Sequence, residues 1–495
     1  MLDVNPDEFL SSITTKEGDV YDARKVERSI EAISLAAAGK GFAFAQVRPR
    51  GEQLEGRVIN ITYAVDQGPR VFVERINILG NTRTREYVIR REFDIAEGDA
   101  FNQSLITSAE RRIRNLGIFK SVRVSRTRGS APDRVVLNVN VEEQPTGDLS
   151  FGAGADLSGG FLTNVALTER NFLGRGQFVR IAVGLGTGNQ TYDLSFTEPF
   201  FLGRRINAGF DLFRRDSSDQ DSRSFDVSNT GGRIRFTLPI TENLRIGTTY
   251  TYDNETLSDI EEGGDDPAPA SIIAQGEGDF VTSSLAYSIS YNSLDSNQNP
   301  TDGINFRFTQ EFAGLGGDVN FLKTEARAVA YHELNANHEI IGLIRGRVGN
   351  ITGIGEDVRL LDNFFAGGDL VRGFENRGIG PREDGDIAGV GDDALGGLNF
   401  FGVSAEVLFP IPLLPRSIGV KGALFADAGS IFGIDGGVSD DIIEGSDDFS
   451  IRSSVGIGFT WNSPFGPLRG DFAWVLSDED FDDQQFFRIG GGTRF

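Results

Sequence analysis

The stretch GGRIRFTLPITENLRIGTTYTYDNE, residues 231–255, decides how the rest of the chain is read. Ile234, Phe236 and Leu238 alternate with Arg233, Arg235 and Thr237, the period of two that gives a β-strand one apolar and one polar face. After the short turn Thr241 to Asn243 a second strand follows, so the stretch reads as an antiparallel hairpin. Each arm runs to about ten residues or more, beyond the ~5–6 of an average soluble strand and enough for a tilted strand to cross a bilayer. The pattern recurs where Ile304, Phe306 and Phe308 alternate with Asn305, Arg307 and Thr309. It also ends the chain, with Phe487, Ile489 and Phe495 on one face and Arg488 and Arg494 on the other. If the apolar faces meet lipid, the arginine faces line a wet lumen.

Working outward, sixteen such segments can be marked, from 148–157 and 161–171 to 466–477 and 484–495. An even number closes an antiparallel barrel. The connections alternate in length: Leu173 to Arg175, Phe200 to Arg204, Thr241 to Asn243, Asn335 to Ala336, Ile411 to Pro415 and Pro464 to Phe465 are short, and Leu294 to Asp302 is longer. The other side carries acidic or glycine-rich insertions at Asp253 to Gly278, Ile351 to Asn399 and Ile431 to Phe449. Composition agrees. Sixty-three glycines among 495 residues, a mean hydropathy of −0.21 and no apolar run of about 18 residues or more exclude a helical membrane protein but not a barrel. A formal charge of −24 speaks against a nucleic-acid surface, and without cysteine there is no disulfide and no thiolate site.

Upstream of residue 146 the pattern is different. Residues 71–79 alternate as a strand, helical patterns occupy about 84–93 and 103–116, and strands follow at about 120–127 and 134–142. In the second helix Ile106, Ala109, Ile113 and Leu116 fall on one face and Gly117 stops it. This β-α-α-β-β unit, with GNTRTREYVIRRE and ERRIRNLGIFKSVRV, resembles a POTRA domain, the polypeptide-transport-associated module. Residues 1–67 read as a truncated copy that begins with its helix, 68–145 as a complete copy next to the barrel, and 146–495 as the barrel. The first 20 residues lack the charged and apolar regions of a secretion signal, so the signal of an exported protein would have been removed or left out of this sequence.

POTRA units followed by sixteen strands resemble the outer-membrane assembly factors of the POTRA-plus-barrel superfamily. VRGF (Val371, Arg372, Gly373, Phe374), inside the longest insertion, carries the resemblance together with FADAG, in which Phe425, Asp427 and Gly429 match F-x-D-x-G. GFTWNSPFGPLRGDFAW and the closing FFRIGGGTRF extend it. An insertion of almost fifty residues, about 351–399, is expected to fold into the lumen, where a buried guanidinium needs carboxylates to offset desolvation. The motif match makes Asp427 the partner of Arg372, with Glu406 from the neighbouring strand; an arginine solvated at a loop tip is the plainer reading.

The resemblance implies folding and insertion of other β-barrel proteins in the bacterial outer membrane, without nucleotide, in a multi-subunit complex with accessory lipoproteins and with the POTRA domains in the periplasm. First and last strands meet in a barrel, and here both are rich in glycine, Gly147, Gly152 and Gly154 against Gly490, Gly491 and Gly492. Glycine weakens a strand, so this seam can act as a lateral gate that templates an incoming strand; glycines that merely fit a crowded closure are the alternative. Phe487, Ile489 and Phe495 resemble the C-terminal assembly signal of such barrels. A related translocation and assembly factor of the same plan, or a two-partner secretion pore, are the competing functions. No enzyme is expected: His332 and His338 flank a turn without metal-binding spacing, and no nucleophile elbow or phosphate loop occurs. No cofactor or metal is called for, although Asp384, Asp386, Asp392 and Asp393 allow weak Ca²⁺ binding.

Overall fold

The computed structural model describes residues 6–19, 21–39, 46–54, 58–66, 71–156, 160–218, 226–258, 278–296, 299–335, 339–383, 394–412, 414–415, 418–435, 442–463 and 466–491. The chain forms two compact units, Met1–Asp148 with Thr168–Phe178, and Leu149–Leu167 with Val179–Phe495. His338, Asp384, Asp386, Asp392, Asp393, Gly492, Arg494 and Phe495 lie outside the described residues.

In the first unit, helix α1 (Ala23–Gly39) precedes the antiparallel pair β1 (Gln46–Leu54) and β2 (Val58–Asp66). The repeat that follows runs β3 (Phe72–Leu79), α2 (Glu86–Arg90), α3 (Gln103–Asn115), β4 (Phe119–Arg128) and β5 (Arg134–Glu143). Strand β5 is central, parallel to β3 and antiparallel to β4. The Asn102 side chain accepts from Leu105 N–H and so caps α3, supplying a partner for one of the amides a helix start leaves open. Ile106, Ala109 and Ile113 are buried on its inner face, as their spacing requires. Ile106 and Ile113 pack on Val73, Ile76, Val135, Leu137 and Val139 of the sheet. The α2 helix is shorter than its pattern suggests: it ends at Arg90, and the chain then turns back toward β3, where Gly98 N–H donates to Val73 O.

The remaining sixteen strands are β6 (Gly147–Asp156), β7 (Gly160–Phe172), β8 (Gln177–Gly186), β9 (Asn189–Glu198), β10 (Asn207–Ser217), β11 (Asp226–Pro239), β12 (Leu244–Ser258), β13 (Gly278–Asn292), β14 (Gly303–Ala313), β15 (Phe321–Asn335), β16 (Ile340–Gly353), β17 (Asn399–Pro410), β18 (Val420–Phe432), β19 (Arg452–Ser463), β20 (Gly466–Ser477) and β21 (Phe487–Gly491). They form one sheet in which each strand lies beside its chain neighbour, from β21 round to β6. All sixteen expected segments are strands of this barrel. Boundaries move by a few residues: a 3-10 turn at Phe201–Gly203 delays β10, and β16 runs on to Gly353, shortening the long insertion to 354–398. No helix among the described residues is long and apolar enough to cross a membrane.

The faces are sorted opposite to those of a soluble protein. On β17 and β18 the outward Val403 and Leu424 are 49% and 50% exposed, whereas Glu406 and Asp427, facing in, are 2% and 4% exposed. Apolar atoms outside and charges inside is the arrangement a barrel in lipid requires.

Candidate functional site

The long insertion between β16 and β17 packs against the inner face of the sheet. Val371 and Phe374 are wholly buried, in a cluster with Leu370, Ile379, Phe400 and Ile431. Gly373 has φ +103°, a left-handed turn that lets the buried residues on either side of it point to different walls. Gly429 serves a different need: a Cβ there would stand 3.0 Å from Val371 Cγ2 and 2.8 Å from the Phe401 carbonyl. Its side-chain-free surface is the seat on which the loop rests.

Arg372 sits at the centre of this packing. Its Nε donates to Asp427 Oδ2 at 2.6 Å and its Nη2 to Asp427 Oδ1 at 2.7 Å, a two-pronged match of guanidinium to carboxylate. Nη1 donates to Glu406 Oε2 at 2.9 Å, Nη2 also to Ser404 Oγ at 2.9 Å, and the backbone N–H to Asp427 Oδ2 at 3.1 Å. The flat face of the guanidinium lies 3.5 Å from the centre of the Phe425 ring, where the ring's negative face favours a cation. Phe425 therefore belongs to the site itself, next to Asp427 and not merely on the same strand.

Three participants escaped the sequence reading: Ser404, Arg469 and Asp471. Arg469 donates from Nη1 and Nη2 to the two oxygens of Glu406, each at 3.0 Å, and from Nε to Asp471 Oδ2 at 2.8 Å. Asp471 also stands 3.8 Å from Arg372. Arg372 and Arg469 thus meet Glu406, Asp427 and Asp471, guanidinium against carboxylate, which is how so many charges are kept in a poorly solvated space. A signal was present in GPLRGDFAW, where Arg469 and Asp471 are two apart on one strand face. Nothing local, however, ties that face to Glu406.

The other candidate residues lie on the terminal strands. Gly147, Gly152 and Gly154 are on β6, and Gly490 and Gly491 are on β21. An added Cβ would find nothing within 4 Å at Gly490 and no atom closer than 3.9 Å at Gly152. Phe487 and Ile489 are exposed on the outer face of β21. The structure brings Arg372, Glu406, Asp427, Phe425 and Gly429 together, and the terminal glycines form a separate group. Among the described residues no group of three or more histidine or carboxylate side chains is arranged to hold a metal ion.

Comparison with known proteins rests on the same two parts. The Omp85 superfamily domain matches residues 171–495, a span that holds the Arg372 cluster entire. The chain belongs to the Omp85 superfamily. The POTRA model, described as a surface antigen variable number repeat, matches 2–68 and 71–144. The outer membrane protein assembly factor BamA of Neorickettsia risticii is 32% identical over 97% of this chain and 62% of its own length. That of Nitratidesulfovibrio vulgaris is 31% identical over 90% of this chain and 54% of its own. The chain therefore spans only a little over half of these relatives. Among solved structures, BamA from Haemophilus ducreyi lacking POTRA domains 1–3 superposes with a TM-score of 0.74 at 22% identity, covering 96% of this chain and 94% of that one. CdiB from Acinetobacter baumannii gives 0.56 at 13% identity, over 98% and 85%. Both share the fold.

Proposed function

We propose that this protein folds and inserts β-barrel proteins into the bacterial outer membrane, with its barrel in that membrane and its POTRA domains in the periplasm. The observation that carries the proposal is the pairing of an internally locked loop with terminal strands that glycine leaves weak. The Arg372 network ties β17, β18 and β20 to one loop and stiffens that side of the barrel. Glycine on both terminal strands supports a weak join between them. A parted seam exposes backbone donors and acceptors that lipid cannot satisfy, so an unfolded client strand is the natural partner. Edge strands β3 and β4 of the second repeat offer the same backbone pairing to extended chains or to accessory lipoproteins.

Such work is strand exchange and draws on burial and backbone pairing, with no nucleotide, cofactor or catalytic residue. The direct test is reconstitution in liposomes with a urea-unfolded barrel client, scored by heat-modifiable migration. Faster client folding than in empty liposomes is expected, and no acceleration rejects the proposal. A disulfide engineered between β6 and β21 should abolish that acceleration and restore it on reduction. A translocation pore of the same fold would instead show large, steady conductance in planar bilayers.

A further inference from the structure

Residues 478–486 join β20 to β21 on the same side of the sheet as the Arg372 loop, and they are bound to it. Gln485 N–H donates to Gly373 O, Glu375 N–H to Asp483 O and Asp483 N–H to Gly378 O, each at 2.9 Å, with Phe374 and Gln484 paired across this short ladder. Arg382 Nη2 meets Asp483 Oδ2 at 2.5 Å. Arg452, at the start of β19, grips Asp482 with Nε to Oδ2 at 2.9 Å and Nη2 to Oδ1 at 3.1 Å, and both side chains are wholly shielded. Phe486 O accepts from Ala473 N–H at 3.0 Å. Every residue from Asp482 to Phe486 is thus held by a neighbour, immediately before the last strand begins.

The strand beyond is held by its backbone ladder to β20, from Phe472↔Phe487 to Leu468↔Gly491 among the described residues. Glycine there adds chain entropy without packing.

We infer that residues 482–486 are a clamp that fixes the start of the last strand to the Arg372 loop, so that β21 is released from its glycine end while its first residues stay in place. The inference rests on the β6–β21 seam being the gate, and it adds which end moves and what holds the other. Asp482 and Asp483 are positioning residues in this scheme. Parting the clamp means breaking two ion pairs, one of them shielded so that each charge would be left without a partner, together with three backbone bonds. Among the described residues, parting the far end at Gly490 and Gly491 breaks backbone pairs to Arg469 and Leu468. Because the clamp sits on the loop that Arg372 locks to three strands, the fixed end is referred to the rigid wall of the barrel.

Amide hydrogen exchange of the full chain in lipid nanodiscs tests this directly. In the unaltered protein, peptides covering 482–489 should be protected, and exchange should rise sharply from Gly490 onward. Asp483→Ala and Gln485→Pro, which remove an ion pair and a ladder N–H, should lose the protection of 482–489 while β17 and β18 keep theirs. Asp483 is 55% exposed in its side chain, so its alanine variant tests the clamp even where the proline variant does not fold. Uniform exchange along the last strand, or unchanged protection at 482–489 in folded Asp483→Ala, overturns the clamp. The gate fails separately, when the stapled seam still inserts clients, and that result leaves the exchange pattern as it was.

Discussion

Arg372 shows what one side chain does when its surroundings are built for it. Four donated N–H bonds and a ring face surround a guanidinium that is 9% exposed. Arg372→Ala leaves Asp427 buried without its guanidinium, while Glu406 keeps Arg469, a loss of about 3–5 kcal/mol for a broken buried pair. The expected outcome is a lower temperature for conversion from the compact to the unfolded band on gels. Arg372→Lys, which keeps the charge but not the fork, should fall between the two. Glu143 plays a comparable part in the second repeat. Its carboxylate accepts from the N–H groups of Thr82, Arg83 and Thr84 and from the Thr82 hydroxyl. Burial pushes its pKa up, but hydrogen bonds from Thr82, Thr84 and Arg83 outweigh this and hold it down at about 2, against an ordinary 4.5. A group depressed on folding stabilises above its unfolded value and loses that contribution as pH falls through the folded one. Thermal melting of the helical ellipticity should therefore drop between about pH 4.5 and 2 in the native chain. Subtracting the Glu143→Gln melt isolates this carboxylate, and identical pH dependence in both proteins would contradict the assignment.

At the scale of elements, the loop 354–398 and the strands beneath it are fitted to one another. The strand glycine at 429 leaves the space that Val371 fills. Gly429→Leu would force the loop off its seat, an overpacking penalty of about 1–3 kcal/mol. The expected readout is faster proteolysis within 354–398 while the barrel stays folded; protection equal to the native chain would show that the loop is held elsewhere. The alternation in residues 231–255 announced a hairpin because strand periodicity is local, each residue pointing opposite to the last. The α2 helix stops at Arg90, short of its periodic pattern, for the converse reason: the chain beyond it folds back onto β3 through contacts made elsewhere in the repeat. Arg469 and Asp471 were visible as a charged strand face, yet nothing in their neighbourhood named the loop arginine beside them.

For the whole molecule, the inner face carries a pattern that no single strand displays. Register places Arg245, Ser290, Arg307, Arg327 and Arg347 directly opposite one another across β12 to β16. Arg347 is met by Asp369 of the inserted loop at 3.2 Å. A row of cations around a wet lumen raises the local concentration of anions, in a chain whose formal charge is −24. Residual ion flow through the reconstituted barrel should favour anions, read as the sign of the reversal potential across a salt gradient. Arg327→Glu should shift that potential toward cation selectivity, and an unmoved potential would place the conducting path away from this row.

Periodicity, turn spacing and a change of composition were enough to mark a small α/β region, sixteen strands and which residues of a strand share a face. These follow from interactions within a few residues, and sequence order preserves them. Only the tertiary structure decided the rest: that Arg469 shares Glu406 with Arg372 across separations of 63 and 34 residues, that Phe425 lies under the guanidinium, and that Asp482 and Asp483 anchor the start of the final strand. Such partners are chosen by register and by the path a long loop takes through the lumen. Both emerge from the packing of the sheet as a whole, so no local run of residues encodes them.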